Sequence, residues 1–301
     1  MRVAGAIDIG GTSTKIGIVA ADGSIVTRDR VPTSLGGEPE GVVEAIRLAL
    51  GPMLEKGIEL GHSIEGVGVS VAGFVTSDHS AMVHNPNLPK LREFPLRRAL
   101  SDSLGIECRL EVDSNASTIA EYQHGAGRGA QRLLGIVVGT GVGGGVIIDG
   151  RLLRFTGECA GDIGHVIVDP GGRQCTCGAR GCLEAMVNTT ALIDLADGRP
   201  VRETVTAAAR EGDVRARKIL AQAGHWIGLG LASLSPIFSP DRIVVGGGIA
   251  AAGDALLDPT RESYRRHARP EFAEHTEVIG SEFDGWEGLV GAASLFLDPV
   301  A

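Results

Sequence analysis

"LLGIVVGTGVGGGVIIDGRLL", residues 133–153, decides between two kinds of α/β protein. It holds a literal G-x-G-x-x-G at Gly139, Gly141 and Gly144, the spacing of a dinucleotide-binding turn. Such a turn works when a helix follows at once and sets its N-terminus on the pyrophosphate. Here the continuation "GVIIDGRLL" is β-branched and ends in an Asp-Gly turn, so the glycines join two strands. That argues against a nicotinamide-dependent dehydrogenase. It leaves a turn rich in glycine whose exposed amides can cradle phosphate oxygens.

The same theme opens the chain. "VAGAIDIG", a turn at Gly10–Ser13, "TKIGIVA", a turn at "ADGS" and "IVTRDRV" read as a β-meander, with Asp8 at the end of its first strand. A carboxylate there can hold a hydrated Mg²⁺ beside a phosphate-binding turn. Apolar residues spaced by three and four (Val42, Ala45, Ile46, Ala49, Leu50, Met53) predict a helix from about Glu38 to Lys56. "IEGVGVSVAGFV" is a buried strand, "NPNLPKLREFP" a loop, "LRRALSDSLG" a short helix ending at glycine and "CRLEVD" another strand. In the second half a helix is expected from about Asp213 to Leu234, with Leu220, Ala223, Ile227, Leu231 and Leu234 on one face. "RIVVGGGIA" is a strand running into glycines that open a helix, and "WEGLVGAASLFL" is the final helix. Two halves, each with a strand, glycine turn and strand plus crossing helices, predict paired α/β domains around a cleft.

Bulk properties narrow the function. The 301 residues carry a formal charge of −9, the wrong sign for a surface that must displace counterions from nucleic acid. No apolar run reaches about 18 residues and no leader pattern precedes the first strand, so a cytoplasmic protein without a membrane partner is expected. In a reducing compartment clustered cysteines are more often metal ligands than disulfides. Three of the five cysteines fall in "GHVIVDPGGRQCTCGARGCLEAM", residues 164–186. His165, Cys175, Cys177 and Cys182 have the form H-x9-C-x-C-x4-C, suited to a tetrahedral Cys3His zinc site. The bland alternative is buried free thiols, but Cys-x-Cys among glycines poorly fits a packed core. Four protein ligands close the coordination sphere, so the zinc is structural and the chemistry lies elsewhere.

Two Gly-Thr turns, an Asp-x-Asn step in "EVDSNA", a Gly-His followed by G-x-x-C-x-C-G-x-x-G-C-x-E (Gly172–Glu184) and a late "VVGGGI" together resemble the ROK family, which contains sugar kinases and sugar-responsive repressors. The resemblance spans essentially the whole chain. It implies an α/β, two-domain actin-like ATPase (ribonuclease H-like) fold with a cleft, here divided at 1–114 and 115–301, the last helix, about 286–298, packing back on the first domain. It implies an ATP-dependent kinase acting on the 6-hydroxyl of a hexose, with sugar and nucleotide as its partners, and a homodimer. Gly10, Gly11, Thr12, Thr14 and Lys15 would form the first phosphate loop, Thr140, Gly141 and Gly143 the second, and Gly247 and Gly248 the turn that meets the adenosine. Asp8 would position Mg²⁺ through water. Asp113 would be the general base. Gly73, Asn87, Val112, Asp162, His165 and Glu184 would line the sugar pocket, with one ring nitrogen of His165 on zinc and the other toward the sugar. Taken alone, Asp113 in "VDSNAS" also reads as a helix cap.

Two positions depart from the kinases' pattern. Val112 stands where they carry Asn, and Asp162 where they carry Glu. Both side chains bond ring hydroxyls around C3 in the kinases, and a hydroxyl left without a partner would cost roughly 1–3 kcal/mol. The substrate is therefore expected to be glucose or a C3-modified glucose such as kanosamine, whose ammonium group would gain from Asp162. The rival readings are a sugar-responsive regulator and a sugar-binding protein without turnover. The first phosphate turn begins within ten residues of Met1, so a regulator's reading helix is not expected, and Asp113 and the Gly-Thr turn are both kept.

Overall fold

The structure is a computed structural model and describes residues 1–11, 13–33, 38–84, 89–154, 162–196 and 205–300. Thr12 and Asn87, two of the expected ligands, lie outside the described residues. In chain order the elements are β1 (Arg2–Ile9), β2 (Ser13–Ala20), β3 (Ile25–Pro32), α1 (Pro39–Glu59), β4 (Ser63–Val71), β5 (Phe74–Val75), β6 (Met82–His84), α2 (Leu96–Leu104), β7 (Cys108–Val112) and α3 (Asp113–His124). There follow β8 (Arg132–Val138), β9 (Val142–Ile148), β10 (Arg151–Leu152), α4 (Leu183–Val187), α5 (Thr189–Leu195), α6 (Thr206–Arg210), α7 (Val214–Phe238), β11 (Arg242–Gly246), α8 (Asp254–His267), α9 (Pro270–His275), β12 (Glu277–Gly280) and α10 (Glu287–Leu297). Among the described residues no helix is long and apolar enough to cross a membrane.

The chain divides into two compact units, Met1–His124 with Gly150–Ala160 and Trp286–Ala301, and Gly125–Asp149 with Gly161–Gly285. In the first, the sheet runs β3-β2-β1-β4-β7, antiparallel through the meander and parallel from β1 to β4 to β7. Parallel neighbours need a crossover, and α1 and α2 supply it. The α1 face is closed by Val42, Val43, Ile46, Leu50 and Leu54 against Ile7, Ile9, Ile16 and Ile18. The helix expected from about Glu38 to Lys56 is thus present as Pro39–Glu59.

The sheet's other face is covered by α10 and α3. The first compact unit runs on to His124, and within it α3 packs on α10. That contact is backbone-close: a Cβ added at Gly291 would lie 1.7 Å from the Ala116 carbonyl oxygen. Gly291→Ala must therefore part the two helices, and the expected cost is at least about 1–3 kcal/mol, read as a lower Tm. Gly51→Ala is its contrast. Gly51 lies in the interior of α1, a Cβ there meets nothing within 4 Å, and up to about 1 kcal/mol of helix stability is gained.

In the second unit β9 runs antiparallel to β8, and β8, β11 and β12 are parallel in that order. The hairpin-then-parallel theme of the first unit recurs. Residues 139–141 join β8 directly to β9, so the first two glycines of the literal G-x-G-x-x-G lie in a hairpin turn and the third, Gly144, in β9 itself. Leu220, Ala223, Ile227, Leu231 and Leu234 of α7 are all buried, as the spacing predicts. After β11 the glycines lead to a short 3-10 turn, Ala250–Ala252, before α8. α7 and α8 approach so closely that a Cβ on Gly228 would meet the Thr260 carbonyl at 2.5 Å.

Candidate active site

The chemistry-bearing residues of the first unit converge on Asp8, the penultimate residue of the buried strand β1. Its carboxylate accepts from Lys15 Nζ at 2.8 Å and from Ser70 Oγ at 3.0 Å. The register explains both contacts. Asp8 stands opposite Lys15 on β2 and Ser70 on β4, so the three side chains share one face of the sheet. The first turn of α10 lies over them. A Cβ on Gly288 would come within 2.8 Å of the Asp8 carboxylate, so a glycine there lets the acid meet a helix N-terminus. Ser70 was not foreseen, although a hydroxyl inside "GVGVSVAG" stands out from an apolar strand.

Asp113 ends the run from β7 into α3 and shares this electrostatic neighbourhood. Burial pushes its carboxyl up to about 7, and the Asp8 charge adds to the rise. The Ser114 amide, donating to Asp113 Oδ1 at 2.7 Å, and Lys15 pull the other way. The Ser114 bond reaches only the adjacent amide, whereas a helix cap would accept from the second or third residue onward. A carboxylate poised near neutrality, facing a second acid and an ammonium group, is an arrangement suited to general-base work.

The first glycine turn is braced from behind. Gly10 N–H donates to Ser13 O at 3.2 Å, and Thr33 Oγ1 donates to Gly10 O at 2.9 Å. Thr14 is buried and shares a 2.8 Å hydrogen bond with Thr33, so its hydroxyl supports the turn. Strand parity dictates this: Thr14 lies on the same face as Ile16 and Ile18. Gly11 is partly exposed, and Gly73, in the turn between β4 and β5, has φ +100°. Val112 is half-buried at the end of β7 and offers only an apolar side chain.

In the second unit His165 lies in a 3-10 turn, Ile163–His165, and the three cysteines in a knuckle bent at Gly178 and Gly181, both at positive φ. His165 Nδ1 is 3.5 Å from Cys175 Sγ, Cys177 Sγ is 3.6 Å from Cys182 Sγ, and all four donor atoms lie within 4.8 Å of one another. A tetrahedral zinc with ligands at about 2.0–2.3 Å needs donors about 3.5–3.8 Å apart, so the donor set fits. Burial pushes the Cys182 thiol up to about 12, with Cys177 and Cys175 adding to the rise, a cost that a bound dication removes. Asp162 Oδ2 is 3.1 Å from His165 Nε2 and is the main reason the imidazole is pushed up to about 9. A proton held on Nε2 leaves Nδ1 to face the sulfurs, the usual carboxylate–histidine support of a zinc ligand. The nitrogen expected to face a sugar is thus engaged by Asp162.

The second glycine turn exposes Thr140, with Gly141 and Gly143 partly exposed beside it. Gly247, at φ +89°, packs so closely on the end of β8 that a Cβ would lie 2.5 Å from Val138 O, and Gly248 is partly exposed next to it. The turns after β8 and β11 therefore lie side by side, as one nucleotide could use them. Glu184, on the first turn of α4, accepts from the Val142 amide at 2.9 Å.

Two sheets of one topology, each with a glycine turn between its first two strands and with Asp8 near the end of β1, define the actin-like ATPase class. The sequence matches the ROK family over residues 4–299. It is 34% identical to a glucokinase of Streptomyces coelicolor over 319 aligned positions, 97% of each chain, and 32% identical to an N-acetylmannosamine kinase of Escherichia coli O157:H7, over 96% of this chain and 97% of that one. The fold is similar to that of a ROK family glucokinase from Streptomyces griseus solved with glucose and AMPPNP, at TM-score 0.85 and 34% identity, covering 98% of this chain and 99% of that one. The chain belongs to the ROK family.

Proposed function

We propose that this protein is an ATP-dependent hexose kinase that transfers the γ-phosphoryl group to the 6-hydroxyl of glucose or of a glucose modified at C3, with Asp113 as general base. Glucokinase and N-acetylmannosamine kinase relatives support the sugar-kinase class. The observation that carries the mechanism is the raised Asp113 carboxyl beside the Asp8–Lys15 pair.

Phosphoryl transfer asks the protein mainly for positioning and charge neutralisation. The two glycine turns supply amides for the phosphate chain, and the turn at Gly247 and Gly248 supports the adenosine. Mg²⁺, held through water near Asp8, would neutralise charge on the phosphates. Asp113, once ionised, accepts the proton of the attacking hydroxyl. Lys15 lies close enough to both acids to be drawn toward phosphate when Asp8 engages the metal. Sugar recognition falls to Gly73, Asn87, Val112, Asp162, His165 and Glu184, with the zinc holding the His165 and Glu184 segments in shape. Val112 cannot donate to a ring hydroxyl, and Asp162 brings an acid that an ammonium group would meet favourably; both support an amino sugar such as kanosamine.

The test is a parallel assay of sugar-dependent ADP release on glucose, kanosamine, glucosamine and N-acetylmannosamine. A kcat/KM for kanosamine at least tenfold above glucose is expected on the amino-sugar reading, and an equal or higher value for glucose rejects that reading. No ADP release with any sugar rejects the kinase and favours a regulator or sugar-binding protein.

A further inference from the structure

We propose that Glu184 and Thr189 brace the second glycine turn against the zinc-bearing segment, which makes Glu184 a positioning residue for the phosphoryl donor and not only a contact for sugar. The inference rests on the kinase reading above, since it takes the turn at 139–142 as part of the nucleotide site.

The turn is gripped at both ends. At one, Glu184 Oε2 accepts the Val142 amide at 2.9 Å, and a Cβ on Gly141 would lie 2.6 Å from that same oxygen, so the carboxylate lies directly on the turn. At the other, Thr189 donates twice to the Gly139 carbonyl, from Oγ1 and from its backbone amide, each at 2.9 Å. The turn itself is closed by Gly139 N–H donating to Gly141 O at 2.9 Å. Glu184 lies in the first turn of the short helix α4 and Thr189 begins α5, so a rigid elbow spans the turn like a staple.

Both sides of the staple lead to metal ligands. Cys182 caps α4, two residues before Glu184. On the opposite side the His165 turn presses on β9, where a Cβ on Gly164 would lie 2.1 Å from Val142 O. Val142 therefore has its amide held from the Cys182 segment and its carbonyl packed against the His165 segment. Zinc joining those segments fixes the turn that must present its amides to phosphate. A glycine-rich turn loses much conformational freedom when it is ordered, and a brace that orders it in advance reduces what nucleotide binding must supply.

The experiment measures binding of Mg²⁺–AMPPNP by calorimetry, with and without glucose, to the parent and to Glu184→Leu, Glu184→Gln and Thr189→Val, with zinc content determined on each. Loss of one such hydrogen bond is worth about tenfold in affinity. Glu184→Leu is expected to weaken nucleotide binding in the absence of sugar by about tenfold, Thr189→Val by a few-fold, and Glu184→Gln, whose amide oxygen can still accept from Val142, to remain close to the parent. Parent-like nucleotide affinity in both Glu184→Leu and Thr189→Val, or a defect in Glu184→Leu seen only when glucose is present, overturns the brace. Sugar-dependent ADP release by the parent, measured alongside, separates the two readings: turnover by the parent with an unchanged Glu184→Leu affinity fails the brace alone, whereas no turnover with any sugar fails the kinase reading.

Discussion

Asp113→Asn is expected to lower kcat by about 10²–10⁴-fold, the usual contribution of a general base, while making the folded protein more stable. The two effects have one cause. Burial raises the Asp113 carboxyl from its ordinary value of 3.8 to about 7, so its ionised form is disfavoured in the folded state. A group whose folded value lies above its unfolded value contributes stability that is present at low pH and lost as pH rises, here between about 4 and about 7. Above that window the parent carries a penalty of up to a few kcal/mol that the neutral amide avoids. Asparagine also keeps an oxygen that can accept from the Ser114 amide, so the start of α3 is preserved. Thermal melts at pH 5 and pH 8 should show the variant's advantage growing with pH. A residue that served only as a helix cap would lose stability on substitution and leave turnover near that of the parent.

Cys182→Ser should have the largest effect on the second unit. Cys182 is fully buried and its sulfur lies 3.6 Å from that of Cys177. Among the described residues, the local apolar cluster adds only Ala185 and Ala179 to the ligands, too little surface to hold the knuckle by burial. Zinc content is expected to fall from about one per chain to near zero, with a drop in Tm of roughly 10 °C, the scale expected when several kcal/mol of metal-linked folding energy is lost. Elemental analysis and calorimetry check both. Full zinc occupancy in Cys182→Ser, or an unchanged melt in a metal-free parent, would show that the cluster is packed thiols.

Much of this architecture was legible in the residues. The strand after Gly144 was visible in "GVIIDGRLL", which separated a hairpin turn from a dinucleotide fold, and H-x9-C-x-C-x4-C announced its cluster through spacing alone. The α7 stripe was equally plain, because twenty-five residues give a 3.6 period room to repeat. Helices α4, α5 and α6, of five to seven residues, are too short to show a period, and so the elbow that carries Glu184 and Thr189 left no signal. The burial of Thr14 follows from its parity with Ile16 and Ile18 in β2. The Asp162–His165 pair was hidden for another reason. A 3-10 turn brings residues three apart onto one side, and nothing in "GDIGH" announces that turn in place of a loop. The meeting of Asp8, Lys15 and Ser70 depends on strand order, which a local pattern does not carry.

The central claim is that Asp113 takes the proton from the sugar. Its most direct test is the pH dependence of kcat/KM for sugar-dependent ADP release, at saturating Mg²⁺–ATP, in the parent and in Asp113→Asn. With a carboxyl near 7 that works only when ionised, the parent should rise tenfold per pH unit below about 7 and level off above it, while the variant stays low and flat across the same range. The same rise in Asp113→Asn, at a rate close to the parent's, would contradict the assignment.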